Sequence, residues 1–159
     1  MTDDAAAAPG ASEASACRRT AMDLLARREH SRAELADKLA QRGFDAALVG
    51  DTLDTLAGER LLSDERFTEQ FIESRIRRGQ GPVRIVAELA RRGITGSDAR
   101  EQLDALGVDW VALAREARDA RFGAAPPGNY REWARQARFL QYRGFSSEQV
   151  RNALGDFPV

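Results

Sequence analysis

A chain of 159 residues with one cysteine (Cys17) and one histidine (His30) has no means of building a disulfide framework or a Cys/His zinc cluster. The formal charge of −1 comes from 24 cationic and 25 acidic residues, and Lys38 is the only lysine, so the positive side is almost entirely arginine. The N-terminus lacks the basic start and apolar core of a secretory signal, and no apolar run reaches the ~20 residues of a bilayer span. A cytoplasmic protein without membrane contact is expected.

Residues 1–16, MTDDAAAAPGASEASA, are rich in Ala, Ser and Gly and carry acids but no base. Such a composition buries little apolar surface, and a disordered, solvated tail is expected over 1–16.

The remainder predicts nine helices in three repeats, 17–60, 61–107 and 108–159. The first repeat gives helices at about 17–28, 32–42 and 46–57, with Ser31 and Glu34 at capping-box spacing. The second gives about 64–78, 82–92 and 96–106; Ser63 caps its first helix, and Gly81-Pro82 opens its second. The third gives about 110–122, 130–143 and 147–154, with Asp109 as a cap and Asn129/Glu132 and Ser146/Gln149 at capping-box spacing. A longer loop containing Pro126 and Pro127 separates its first two helices. No segment alternates at period two, so the fold class is all-α.

What makes these repeats is a joint. Arg42-Gly43-Phe44, Arg92-Gly93-Ile94 and Arg143-Gly144-Phe145 place their glycines 50 and then 51 residues apart. Each glycine is followed two residues later by a cap, Asp45, Thr95 or Ser146. Six residues after the glycines stand Val49, Ala99 and Val150, and ten after them Leu53, Leu103 and Leu154. A glycine that closes one helix just before the capped start of the next is a helix-turn-helix joint. Modules of about fifty residues are each near the lower limit for burying a core. Three at one period imply a repeat protein that works through a surface. The apolar stripes place Leu61, Phe67, Phe71, Ile72, Ile76, Ile85, Leu89, Leu103, Leu106, Trp110, Leu113, Trp133, Ala137 and Leu140 in packing roles, the aromatics included.

Charge alternates along each repeat. Residues 75–94 sum to +5 from six arginines and one glutamate, 17–43 to +3 and 115–143 to +4. Between them, 45–65 sum to −5 and 95–109 to −3. Helix dipoles account for a charge or two per helix, not for blocks of this size. Segregated bands suit a polyelectrolyte or a charged protein assembly.

Catalytic groups are scarce. Gly79-Gln80-Gly81 follows a helix and lacks the strand and third glycine of a dinucleotide site, and the carboxylates fall on helix starts and solvated faces. Neither enzymatic activity nor a cofactor or metal is expected. The densest chemistry is the arginine set of the middle repeat. Arg75 and Arg78 are expected on the exposed side of its first helix. Arg84, Glu88, Arg91 and Arg92 are expected on the face of its second helix opposite Ile85 and Leu89. Guanidinium forks suit carboxylates or phosphates. The candidate partner-binding residues are therefore Arg75, Arg77, Arg78, Arg84, Arg91 and Arg92, with Arg121, Arg131, Arg135 and Arg138 as a second group on the third repeat. The competing reading is a solvated face with local pairs such as Arg84–Glu88.

The same stretch resembles the RecX family of small regulators of the RecA recombinase. The resembling pieces are Ser31-Arg-Ala-Glu34-Leu35 with Lys38-Leu39 and Arg42-Gly43, then Leu61-Leu62-Ser-Asp64-Glu-Arg66-Phe67 and Arg75. They continue through Gly79-x-Gly81-Pro82-x-Arg84-Ile85 with Glu88-Leu89 and Gly93-Ile94, then Arg138-Phe139-Leu140, Arg143-Gly144-Phe145 and Val150. The likeness covers about residues 17–155; the N-terminal tail and the loop at 123–128 depart from it. It implies three tandem three-helix modules in an elongated, curved array that lodges in the groove of the RecA–DNA filament. There it would suppress ATP turnover, strand exchange and co-protease cleavage of the SOS repressor.

The leading expectation is thus a monomeric, non-enzymatic inhibitor of the RecA nucleoprotein filament. The alternative is a helix-turn-helix transcription regulator, since three-helix units also read DNA. In that arrangement the third helix enters the groove, and here it is acidic: Asp51, Asp54 and Glu59, then Asp98, Glu101 and Asp104. Weak, non-specific DNA contact through the basic second helices stays open, as does a scaffold role in another helical assembly.

Overall fold

All three Arg-Gly joints turn through a left-handed glycine, Gly43 at φ 89°, Gly93 at 82° and Gly144 at 99°. In each, the residue after the glycine closes the helix from beyond its end: the Phe44, Ile94 and Phe145 N–H groups donate to the carbonyls of Leu39, Leu89 and Leu140. This six-to-one bond satisfies a carbonyl the helix leaves open, and the left-handed step it needs costs glycine nothing. The three leucines are fully buried. One local device therefore ends a helix and anchors it to the core, three times.

The computed structural model describes residues 9–157, with side chains from residue 12 onward. Among these residues there are nine helices and no strand: α1 (Pro9–Arg27), α2 (Arg32–Gln41), α3 (Ala46–Gly58), α4 (Asp64–Arg77), α5 (Pro82–Ala90), α6 (Gly96–Leu106), α7 (Trp110–Phe122), α8 (Tyr130–Arg143) and α9 (Ser147–Leu154). From α2 onward the ends agree with the sequence expectation to within two residues. The first helix does not. It starts at Pro9, within the stretch expected to be a disordered tail, because proline is suited to a first helical position and the Ala/Ser/Glu run that follows has little to oppose a helix. The rest of that tail, residues 1–8, lies outside the described residues.

Caps set the starts. Ser31 and Ser146 make reciprocal boxes with Glu34 and Gln149. Asn129 accepts from the Glu132 amide, but the Glu132 carboxylate reaches past the cap to the Gly128 N–H at 2.7 Å, so that box is not reciprocal. Asp109 and Ser63 accept from the amides of Ala112 and Arg66.

The chain divides into two compact units, Met1–Phe67 and Thr68–Val159. In the first, α1, α2 and α3 pack around Cys17, Ala21, Leu24, Leu35, Leu39, Val49, Leu53, Leu56 and Leu62. In the second, α5 packs on α6, and α7, α8 and α9 close around Ala114, Ala137, Leu140, Phe145 and Val150. The repeat is visible in burial: positions 30, 31, 35 and 39 are buried, and so are 80, 81, 85 and 89. Two expected core residues are outside. Leu61 and Leu106 are 37% and 43% exposed, Leu61 directly after the positive-φ residue Arg60 and Leu106 at the last position of α6, where the chain turns away from the core.

Within the second unit, α5 starts against the end of α8. Gly81 and Val83 donate their N–H groups to the carbonyls of Arg143 and Gly144 at 2.8 and 2.9 Å. The intervening residue is Pro82, which has no N–H to satisfy. Open donors of one helix thus meet open acceptors of another. The approach is backbone to backbone: a Cβ on Gly81 would overlap Gly144 and Phe145, and one on Gly144 would overlap Arg84.

Candidate partner-binding surface

The end of α4, the start of α5 and the residues just past each helix carry the middle-repeat arginines, and the fold divides them into two groups. Arg75, Arg84 and Arg92 turn onto one another. Arg75 Nε lies 3.0 Å from Glu88 Oε2, and both side chains are only 16% exposed. Arg84 Nε reaches the other oxygen, Oε1, at 3.1 Å. Arg92 donates to the Glu88 carbonyl at 2.9 Å, and the Arg75 and Arg92 guanidiniums lie 4.5 and 4.7 Å from the centre of the Phe71 ring. Burial pulls the Arg75 pKa below the ordinary arginine value; Glu88 opposes this, and Arg78, Arg92 and Arg84 add to it. It remains a cation at neutral pH, as arginine does in proteins. The expectation that Arg75 sits on the exposed side of its helix is therefore corrected. Arg75, Arg84 and Arg92 tie α4 to α5 around one carboxylate and one ring, and Phe71 is a half-buried platform for cations instead of a plain core residue.

Arg77, Arg78 and Arg91 are exposed. Arg77 and Arg78 open onto a cleft of about 350 Å³ between the end of α4 and α7. Its apolar lining is Ile76 from α4 with Leu113, Ala117 and the exposed Ala120, which recur at i, i+4 and i+7 along α7. Its rim carries Arg77, Arg78, Arg121 and Arg143, against the single acid Glu116. Arg143 is held in place: it donates to the Arg78 carbonyl at 2.9 Å and lies 5.0 Å from the centre of the Phe139 ring. The structure thus joins two residues of the first candidate group to one of the second. The sequence reading took Arg143 only as part of a joint. No local signal could have found it, because the carbonyl it meets is that of Arg78, 65 residues away, just past the end of α4.

Arg131, Arg135 and Arg138 lie elsewhere, on the exposed face of α8 at i, i+4 and i+7, with Arg135 5.3 Å from the centre of the Phe122 ring. Arg91, the C-cap of α5, is apart from both groups. On the third helices, Asp51, Asp54, Glu59, Asp98, Glu101 and Asp104 are all exposed, so the acidic bands face solvent. Among the described residues there is no cluster of acids, His and Cys that could hold a metal, and no helix long and apolar enough to cross a membrane.

Three family profiles match the chain in order: RecX, first three-helix domain, over residues 17–56; RecX, second three-helix domain, over 63–103; and RecX, third three-helix domain, over 108–154. The chain is 54% identical over 138 residues to the "Regulatory protein RecX" of Halorhodospira halophila, covering 87% of this chain and 86% of that one. It is 48% identical over 139 residues to the protein of the same name from Pseudomonas savastanoi pv. phaseolicola, covering 87% and 90%. The crystal structure of RecX from Lactobacillus salivarius superposes with a TM-score of 0.74 at 22% identity, over 90% of this chain and 95% of that one, a likeness of fold.

Proposed function

The chain belongs to the RecX family of regulatory proteins, and on that premise we propose that it binds the RecA–DNA filament in the cytoplasm and restrains its ATPase, recombinase and co-protease activities without catalysing a reaction itself. The observation that carries this reading beyond the family is the gathering of Arg77, Arg78, Arg121 and Arg143 around one cleft. Four guanidiniums against one carboxylate leave a surplus of positive charge on a concave, partly apolar surface, which is how a charged protein partner is held. The basic face of α8 would add weak, salt-sensitive contact with filament DNA. A monomer acting on the filament needs no more than these surfaces. A sequence-specific DNA reader is less well served, because the exposed acids of α3 and α6 would lie against phosphate.

The test is direct. Purified protein is added at near-stoichiometric amounts to RecA on single-stranded DNA with ATP, and ATP hydrolysis and strand exchange are followed. Both are expected to fall. Unchanged rates overturn the proposal.

A further inference from the structure

Resting on that reading, we propose that the α4–α7 cleft is a docking site for an acidic, amphipathic protein segment, one that offers at least two carboxylates flanking an apolar side chain. Three features of the cleft choose this occupant. Part of its lining is apolar: Ile76, Leu113, Ala117 and Ala120. The two alanines let another backbone come close, and an apolar side chain seated there leaves water, which a sugar–phosphate strand cannot exploit. The cleft carries four arginines to one acid, and the guanidinium fork is matched to paired carboxylate oxygens. Arg143 is already fixed by the Arg78 carbonyl and the Phe139 ring, so part of the ordering cost of binding is met in the free protein. Glu116 stands in the wall and would repel a continuous line of phosphates, while a segment with spaced charges can step past it.

The experiment uses the full chain, two fluorescently labelled probes and one unlabelled competitor: a twelve-residue peptide with Leu at i, i+3, i+4 and i+7 and Glu at the flanking positions, the same peptide with Gln for Glu, and a twelve-nucleotide oligo-dT. Fluorescence polarisation is read at low salt. The acidic peptide is expected to bind at least tenfold more tightly than the Gln peptide, and unlabelled oligo-dT is expected not to displace it. The double variant Arg78→Glu/Arg121→Glu, at two exposed positions, should lose at least tenfold in affinity for the acidic peptide with unchanged helical circular dichroism. It should gain affinity for a peptide carrying Lys in place of Glu. Equal binding of the Glu and Gln peptides, displacement by oligo-dT, or full affinity in the double variant overturns the assignment. None of these readouts involves RecA, so failure here is separate from failure of the filament assay.

Discussion

His30 is 1% exposed, with Nδ1 3.0 Å from the Arg28 carbonyl and Nε2 3.0 Å from Lys38 Nζ. Only the neutral ring, donating from Nδ1 and accepting at Nε2, satisfies both contacts. Burial lowers its pKa below the ordinary 6.5, the Arg28 carbonyl partly opposes this, and the Arg28 and Lys38 charges add to it. A group whose pKa is depressed by folding contributes stability that is whole above its unfolded value and is lost as pH falls below it. The urea midpoint of the first unit should therefore begin to drop below about pH 6.5. Glu34, whose carboxyl is lowered by Arg28 and the Ser31 amide against the effect of burial, adds its own loss only at more acid pH, below the ordinary 4.5. Denaturation from pH 8 to 5 measures the first effect, and His30→Gln should flatten it; an unchanged slope refutes the assignment. Glu88 is the other residue on which much depends. Glu88→Ala leaves the nearly buried Arg75 guanidinium without its carboxylate, and a loss of about 2 kcal/mol is expected in denaturant unfolding. That role was hidden in the sequence. The spacing revealed Arg84–Glu88, but Arg75 reaches the same carboxylate from another helix, and helical periodicity says nothing about which neighbouring helix turns which face.

Helix boundaries were legible because their causes are local. Ser31, Ser63, Asp109 and Ser146 cap where their residue types and spacing said they would, and the three joint glycines turn left-handed as a helix stop requires. What local reading missed is the difference between glycines. Gly43 has open space around its missing Cβ, and Gly43→Ala should cost only the left-handed strain, about 1 kcal/mol. Gly144 has the same backbone sign but stands against Arg84, so Gly144→Ala adds a backbone collision and should cost about 3 kcal/mol or more. Gly81 is not left-handed, and its constraint is wholly the neighbouring chain. Urea melts of the three alanine variants should rank Gly43 mildest; equal losses would remove the contact between α5 and α8 from the account. The Gly79-x-Gly81 pair, weak as a phosphate motif, has two physical reasons: Gly79 takes a left-handed φ of 77° after α4, and Gly81 makes room for the backbone of α8.

For the whole molecule, the acidic bands read from the sequence face solvent, and the fold gives the arginines of the basic bands different surroundings. Arg75, Arg84 and Arg92 work inside the protein, while Arg77, Arg78 and Arg121 share a cleft that no single helix could reveal. Two charge reversals should separate these roles. Arg84→Glu should lower stability, because it puts a carboxylate against Glu88 in a partly buried site. Arg77→Glu/Arg78→Glu should leave the unfolding free energy within about 0.5 kcal/mol and, on the proposed function, weaken the restraint of ATP hydrolysis by RecA at least tenfold. The proposed inhibition should also decline between 50 and 300 mM salt, as screening shortens the reach of exposed arginines. Inhibition that ignores salt would place the partner contact on an apolar surface.

The meeting of α5 with α8 bears on how such a chain can be inherited and rearranged. By sequence the natural unit of duplication is fifty residues, yet the donors of Gly81 and Val83 find their acceptors a full repeat later, at Arg143 and Gly144. A truncation that ends the chain after α7 would strip the start of α5 of both partners. A duplicated middle repeat would fit against a new neighbour only if that neighbour ended in a glycine at the same place. Exchanging either repeat alone keeps the backbone contact only if the incoming repeat brings a glycine to the place of the one removed.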